Sequence, residues 1–287
     1  MSKKNYVYEK ITNEIIKKLE EGTIPWKQPF KNGLPTRWKP NEQYRGINLL
    51  LLPSGEYASK KQILEAGGRI KKEEMKNAYI SVYWHWWKVK EKGEIDETEE
   101  NEENVKKFAK PFYYKVWEIN TQCTGLESKR KDKTYNHSPI EQAEEIIENY
   151  FNPPSVSFNS GSAWYKPFED HVNVPPKKDF ENIHEYYSTL YHELIHSTGH
   201  KSRLNREGVT AHNGFGTESY SKEELIAELG ASMLCGVTGI DNETIDNSAS
   251  YIQSWLRALK NDKTLIVSAS QKAQKASDYI QGIKFNQ

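Results

Sequence analysis

Cysteine is almost absent from this sequence. Cys123 and Cys235 lie far apart and form no C-x-x-C pair, so a disulfide framework is not expected and each reads as a small buried apolar residue. Long apolar runs are missing too. The longest, near Ile47–Leu52, is broken by Asn48 and is far too short to cross a bilayer, so no membrane partner is expected. The first residues, Met1–Asn5, lead into a charged helical pattern and not into the apolar stretch of a secretory signal; the cytoplasm is the expected compartment. There is no internal repeat, and no zinc finger or other duplex-reading motif. Net formal charge is zero, but it is unevenly spread. Residues 1–90 carry eighteen Lys and Arg against nine Asp and Glu, whereas Glu91–Glu103 holds eight acids and one lysine. Basic segments attract phosphate backbones, and acidic runs form solvated loops.

What is present is enough apolar and aromatic residue to build real cores, which excludes global disorder. The pattern predicts an α+β protein of two domains, residues 1–126 and 138–287, joined by a polar linker at 127–137. Tyr8, Ile11, Ile15, Ile16 and Leu19 recur at helical spacing and predict a helix over 5–21 that stops at Gly22. Irregular Pro- and Trp-rich chain follows to Pro40. Tyr44–Leu52 reads as a packed helix or strand, and Ser59–Ala66 as a short helix ended by Gly67 and Gly68. The runs Tyr79–Val89 and Phe112–Ile119 have strand composition and predict a long hairpin with the acidic run as its loop. Beyond the linker, a helix is expected over Pro139–Phe151. Extended segments are expected near Ser155–Phe158, Ser162–Tyr165 and His171–Val174. Helices are then expected over 180–197, 221–235, 246–260 and 264–279. Ser221 and Glu224 have the spacing of a capping box opening the second of these.

The sharpest chemical signal is Tyr191-His192-Glu193-Leu194-Ile195-His196, an H-E-x-x-H motif inside a helical pattern. Histidines four apart share one helix face, which places two imidazole nitrogens where a tetrahedral Zn2+ accepts both. Glu193 then faces the open coordination position as general base. Ile183, Tyr187, Leu190, Leu194 and Ile195 supply a core face, and Gly199 stands where such a helix ends. The plain alternative is a surface helix with two solvated histidines. Candidates for a third ligand are His200, His212, Glu223, Glu224 and Glu228. The extension H-E-x-x-H-x-x-G-x-x-H fails, because Gly199 fits but Ser202 fills the final position. Glu224 and Glu228 lie one turn apart on the next helix. That suits a pattern in which one acid completes the metal shell and the other orients a ligand histidine. Glu224 is favoured as ligand and Glu228 as its companion; the reverse assignment stays open. A peptidase also needs a strand edge to align a peptide. Ser162–Tyr165 and His171–Val174 are candidates, and Tyr220 and His212 are candidate electrophiles.

Six of the eight tryptophans fall in the first 125 residues, interleaved with lysines and arginines. Strand alternation sends Trp84 and Trp86 to one face and Tyr83, His85 and Trp87 to the other, more aromatic surface than a small core absorbs. Exposed aromatics beside cations suit single-stranded nucleic acid, with bases on rings and phosphates on cations. The candidates are Trp26, Lys27, Arg37, Trp38, Arg45, Arg69, Lys71, Trp86 and Lys88. A Trp-rich core with a solvated basic face would account for the same composition.

Together these motifs resemble the ArdC-type antirestriction family over nearly the whole chain. Ile11–Ile16 and the run from Leu19 to Pro25-Trp26 resemble the family's opening helix and its G-x-x-P-W turn. Tyr44-Arg-Gly-Ile-Asn48, Gly67-Gly-Arg-Ile-Lys71 and the aromatic strands follow in order. Tyr191–His200 with Ser202-Arg-Leu204, then Tyr220–Ala231, Tyr251–Leu256 and Ala273–Ile280, carry the likeness to the end. The resemblance implies an N-terminal domain that binds single-stranded DNA and a C-terminal zincin-like metallopeptidase domain. It implies a protein of plasmids and other mobile elements that protects incoming DNA from host restriction. It also makes a host restriction-system protein the expected substrate.

Overall fold

A computed structural model describes residues 3–27, 33–90, 105–130, 139–210, 218–240 and 249–283. The first half begins with helix α1 (Lys3–Glu20), whose Ile11 and Ile15 are fully buried. Gly22 ends it in the left-handed region (φ +78°), which costs a residue without Cβ little. There follow β1 (Thr36–Arg37), β2 (Glu42–Gln43), the one-turn helix α2 (Asn48–Leu51), β3 (Glu56–Ser59) and α3 (Lys60–Glu65). Ser59 caps α3: its hydroxyl accepts from Gln62 N–H, and Gln62 Oε1 accepts from Ser59 N–H at 2.9 Å, a reciprocal capping box. Next come β4 (Arg69–Ile70), β5 (Tyr79–Lys90), β6 (Val105–Glu118), α4 (Ile119–Gln122) and β7 (Cys123–Thr124). The main sheet has the order β2-β1-β3-β6-β5. β5 and β6 form the long antiparallel hairpin, in register from Tyr79↔Val116 to Lys90↔Val105. The acidic run expected as its loop lies outside the described residues.

The second half contains α5 (Pro139–Glu148), β8 (Ser155–Ser157), β9 (Trp164–Lys166), β10 (His171–Asn173), α6 (Ile183–Ser197), α7 (Glu207–Thr210), α8 (Glu218–Thr238), α9 (Ala249–Asn261) and α10 (Leu265–Ile280). β10 is the central strand of a three-stranded sheet, parallel to β8 and antiparallel to β9. α6 opens at Asn182, whose side chain accepts from His184 N–H. α8 starts at Glu218, three residues before Ser221. The expected capping box is therefore corrected: Ser221 lies inside the helix, where its backbone N–H does not need a capping carboxylate.

The two halves share one hydrophobic core. α8 lies at its centre, with Leu225, Ala227, Leu229 and Leu234 all buried. Trp26, Leu49 and Leu50 of the first half meet Leu229, Ser232 and Met233 of α8. Ser232 donates to the Trp26 carbonyl, and Thr12 Oγ1 donates to the Lys263 carbonyl at 2.6 Å. Arg45 pairs with Asp278 of α10, and Gly46 N–H donates to Gln274. The start of the expected linker is also tied down. Glu56 accepts from the Ser128 hydroxyl and Lys129 N–H, and Arg130 donates to the Leu34 carbonyl. Residues 131–137 of that linker lie outside the described residues. No described helix is long and apolar enough to cross a membrane.

α6 and α8 are in close contact at Gly230, where an added Cβ would sit 2.7–2.9 Å from three Ile195 carbons. Gly230→Ala is expected to cost about 1–3 kcal/mol by overpacking. Thermal unfolding checks this: a lowered melting temperature is expected, and an unchanged one would mean the two helices stand farther apart.

Candidate metal centre

α6 carries His192 and His196 one turn apart on the face that meets α8. Their Nε2 atoms lie 3.1 Å from each other. Glu224 reaches from α8 and places Oε2 3.5 Å from His192 Nε2 and Oε1 3.4 Å from His196 Nε2. An ion bound tetrahedrally at about 2.0–2.1 Å separates its ligand atoms by roughly 3.3 Å. The two imidazole nitrogens stand at about that spacing, each Glu224 oxygen approaches one of them, and one ligand atom from each of the three residues lies within 4.8 Å of the others, so the residues fit a metal. Among the described residues they are the one such group of His, Cys, Asp and Glu.

The other ring nitrogens face acids. His192 Nδ1 lies 3.6 Å from Glu228, and His196 Nδ1 lies 3.6 Å from Glu223. Glu228 thus stands on the Nδ1 side and Glu224 on the Nε2 side. Glu223, a candidate ligand in the sequence, instead accepts a bidentate pair of bonds from Arg206. Arg206 carried no sequence signal. His200 is engaged with Ser202 at 2.8 Å and lies 3.8 Å from Asp170, away from the three ligand candidates. His212 and the side chain of Tyr220 lie outside the described residues. β10 is flanked on both sides and cannot accept another strand, which removes His171–Val174 as a peptide-aligning edge. β9, from the Ser162–Tyr165 region, is an edge strand and packs on α6.

Charge concentrates here. Burial alone would lower the imidazole pKa values. Glu224 and Glu228 beside His192, and Glu224 and Glu223 beside His196, outweigh it and raise both. Burial works to raise the Glu224 carboxyl, but the two histidines hold it well below the usual range. Glu193, only 8% exposed, is raised by burial against the pull of both histidines.

The nucleic-acid candidates scatter. Trp26 (2% exposed) and Trp38 (5%) are core residues and present no stacking surface; this corrects their expected role. Trp26 packs edge-on against Trp255, and Trp38 Nε1 donates to the Glu127 carbonyl. Arg37 pairs with Glu42, Arg45 with Asp278, and Lys71 donates to the Thr121 carbonyl. Arg69 and Trp86 (63%) are exposed. The side chains of Lys27 and Lys88 lie outside the described residues. Strand alternation sets Tyr83 and His85 on one face, but the sequence candidates do not include the cross-strand aromatic platform that forms there. Tyr83 stacks on Phe112 (5.6 Å, 23°) and tilts against Tyr114, with His85 edge-on to Phe112 and Lys110 over its ring. The opposite face packs on α1 through Trp84 against Tyr8 and Tyr113 against Tyr6.

Comparison with known proteins gives two family matches. Residues 5–117 match the N-terminal domain of anti-restriction factor ArdC, and residues 141–272 match a zincin-like metallopeptidase family. The crystal structure of the antirestriction ArdC protein from the R388 plasmid, metal-free, is similar over 96% of this chain and 97% of that one, with a TM-score of 0.73 and 32% identity. Its Mn(II)-bound form is similar over 97% and 98%, with a TM-score of 0.73 and 34% identity. The DNA primase TraC of Escherichia coli is 32% identical over 95% of this chain, which spans 27% of that longer protein's length.

A metal accepts only neutral imidazoles, so the raised pKa values of His192 and His196 set protons in competition with it. Protonation is favoured as pH falls, so apparent Mn(II) affinity is expected to rise from pH 6 to pH 8, with protons released on binding. Calorimetric titration in buffers of different ionisation enthalpy measures both, and a pH-independent affinity would contradict this arrangement.

Proposed function

Because the chain belongs to the ArdC antirestriction family and joins that family's N-terminal domain to a zincin-like metallopeptidase domain, we propose that it protects incoming DNA of a plasmid or other mobile element from host restriction. In this reading residues 1–126 bind single-stranded DNA and residues 138–287 hydrolyse a peptide bond in the host cytoplasm. A host restriction-system protein is the proposed substrate. The observation that carries the chemistry is the convergence of His192, His196 and Glu224, with one ligand atom from each within 4.8 Å of the others, beside the buried Glu193.

His192, His196 and Glu224 would hold the ion. Two imidazoles and one carboxylate suit Zn2+, and the Mn(II)-bound form of the R388 protein supports a divalent metal in this family. The ion would supply Lewis acidity, polarising the scissile carbonyl and easing proton loss from water. Glu193 takes that proton and passes it to the departing amine, a role suited by a carboxyl raised through burial. Glu228 orients His192 from the Nδ1 side. β9, an edge strand among the described residues, would align an extended peptide. On the hairpin, Tyr83, His85, Phe112 and Tyr114 offer faces to bases, with Lys110 beside them for a phosphate; Arg69, exposed on β4, is a separate cation candidate. That platform also favours a second reading, a DNA-binding shield in which the metal serves the fold alone.

Two measurements test the proposal. Glu193→Gln is expected to keep metal, lose peptide hydrolysis and fail to protect unmodified DNA entering a restricting host at equal expression. Equal protection by wild type and variant would favour the shield. Tyr83→Ala is expected to weaken single-stranded DNA binding by about 1–3 kcal/mol, and affinity is expected to fall steeply with salt. Unchanged binding would remove the platform from the account.

A further inference from the structure

Arg206 lies just before α7, in the chain that returns from α6 to α8, and is 7% exposed. Its guanidinium is engaged on two sides. Toward α8, Nε lies 3.1 and 3.2 Å from the two Glu223 oxygens, and Nη2 lies 2.5 Å from Oε1. Toward α6, Nη1 donates to Thr198 Oγ1 at 2.5 Å and Nη2 to the Ile195 carbonyl at 2.8 Å. One side chain thus ties the C-terminal end of the helix bearing His196 to the first turns of the helix bearing Glu224. A planar fork holds a carboxylate bidentately and a helix end together in one fixed geometry; a lysine ammonium, a point charge on a flexible stem, does not reproduce it.

The surrounding backbone closes on this pair. A Cβ at Gly208 would lie 3.0 Å from Glu223 Oε2 and 3.1 Å from its Cβ, and one at Gly199 would lie 3.0 Å from Arg206 Nη2. Glu223 is itself 5% exposed. Its Oε1, which accepts from both Nε and Nη2 of Arg206, is the one that faces His196 Nδ1 at 3.6 Å. Glu223 and Glu224 are neighbours in sequence, about 100° apart around α8, so they reach opposite sides of the same imidazole. A buried ion pair adds little net stability over an apolar pair of equal volume. Orientation of a ligand is what this geometry supplies.

We propose that Arg206 and Glu223 are positioning residues of the metal centre. The guanidinium pins the Glu223 carboxylate behind His196, and the carboxylate keeps the ring proton on Nδ1, so that Nε2 presents its lone pair on the Glu224 side. With both oxygens held, Glu223 stays out of the coordination sphere and leaves Glu224 as the acid that enters it. This inference rests on the metal reading of His192, His196 and Glu224.

The test is Mn(II) titration of the metal-free full chain, comparing wild type, Glu223→Gln, Arg206→Lys and the double variant below their melting temperatures. Glu223→Gln removes the charge and keeps the shape. It is expected to weaken Mn(II) by about tenfold or more, and to change the electron paramagnetic resonance spectrum of the bound ion. The double variant is expected to be no weaker than Glu223→Gln alone, because Arg206 acts through Glu223. Lowered melting temperatures with unchanged affinity and spectrum would overturn the proposal and leave an ion pair that serves stability only. Should Arg206→Lys not fold, Glu223→Gln alone decides. A wild-type chain that binds neither Mn(II) nor Zn(II) would overturn the metal reading itself, and this inference with it.

Discussion

The close packing of α6 on α8 is the constraint on which the site depends. It brings two imidazoles from one helix against a carboxylate from the other inside a largely apolar surround. Glu193, Glu223, Glu224 and Glu228 all sit within this small volume. Buried anions need compensating positive charge. Arg206 supplies part of it, and the rest falls to the histidines when protonated or to a metal when they are neutral. On the proposed metal reading the centre holds a cation in either state, and exchange between protons and metal would follow from the same electrostatics. Gly230 lets α8 pack directly against Ile195 of the histidine helix, where a Cβ would crowd that side chain.

The opposite side of α8 explains why two family matches coexist with a single core. Leu229, Ser232 and Met233 face Trp26, Leu49 and Leu50 of the first half. The helix that carries Glu224 and Glu228 is therefore held from both sides, by the histidine helix and by the tryptophan turn. Arg45 with Asp278 and Thr12 with Lys263 add polar ties across the same boundary. The long hairpin extends from this shared body, with one face on α1 and the other carrying Tyr83, Phe112 and Tyr114.

The legible part of the sequence was the part governed by local periodicity. His192 and His196 lie i and i+4 on a helix whose apolar face is plain, and the two aromatic runs do pair as a hairpin. Glu224 was legible as an acid on the following helix. Glu223 and Arg206 were not, because nothing in a turn arginine's neighbours says which buried carboxylate it will meet. Trp26 and Trp38 were expected at the surface because composition counts aromatics without locating them; Trp26 instead fills the seam between the halves. The platform of Tyr83, Phe112 and Tyr114 depends on the pairing register of two strands, which alternation along either strand alone does not fix. The start of α8 was placed late because Ser221 looked like a cap, although the helix runs on before it.

The central claim is that one acid of α8 enters the metal shell from the Nε2 side while its neighbour one turn away stays on the Nδ1 side. Metal content after equilibrium dialysis against limiting Zn(II), comparing Glu224→Ala with Glu228→Ala, tests it most directly. Glu224→Ala is expected to lose bound metal, and Glu228→Ala to retain it with reduced affinity. Full occupancy in Glu224→Ala, with metal lost from Glu228→Ala, would contradict the account.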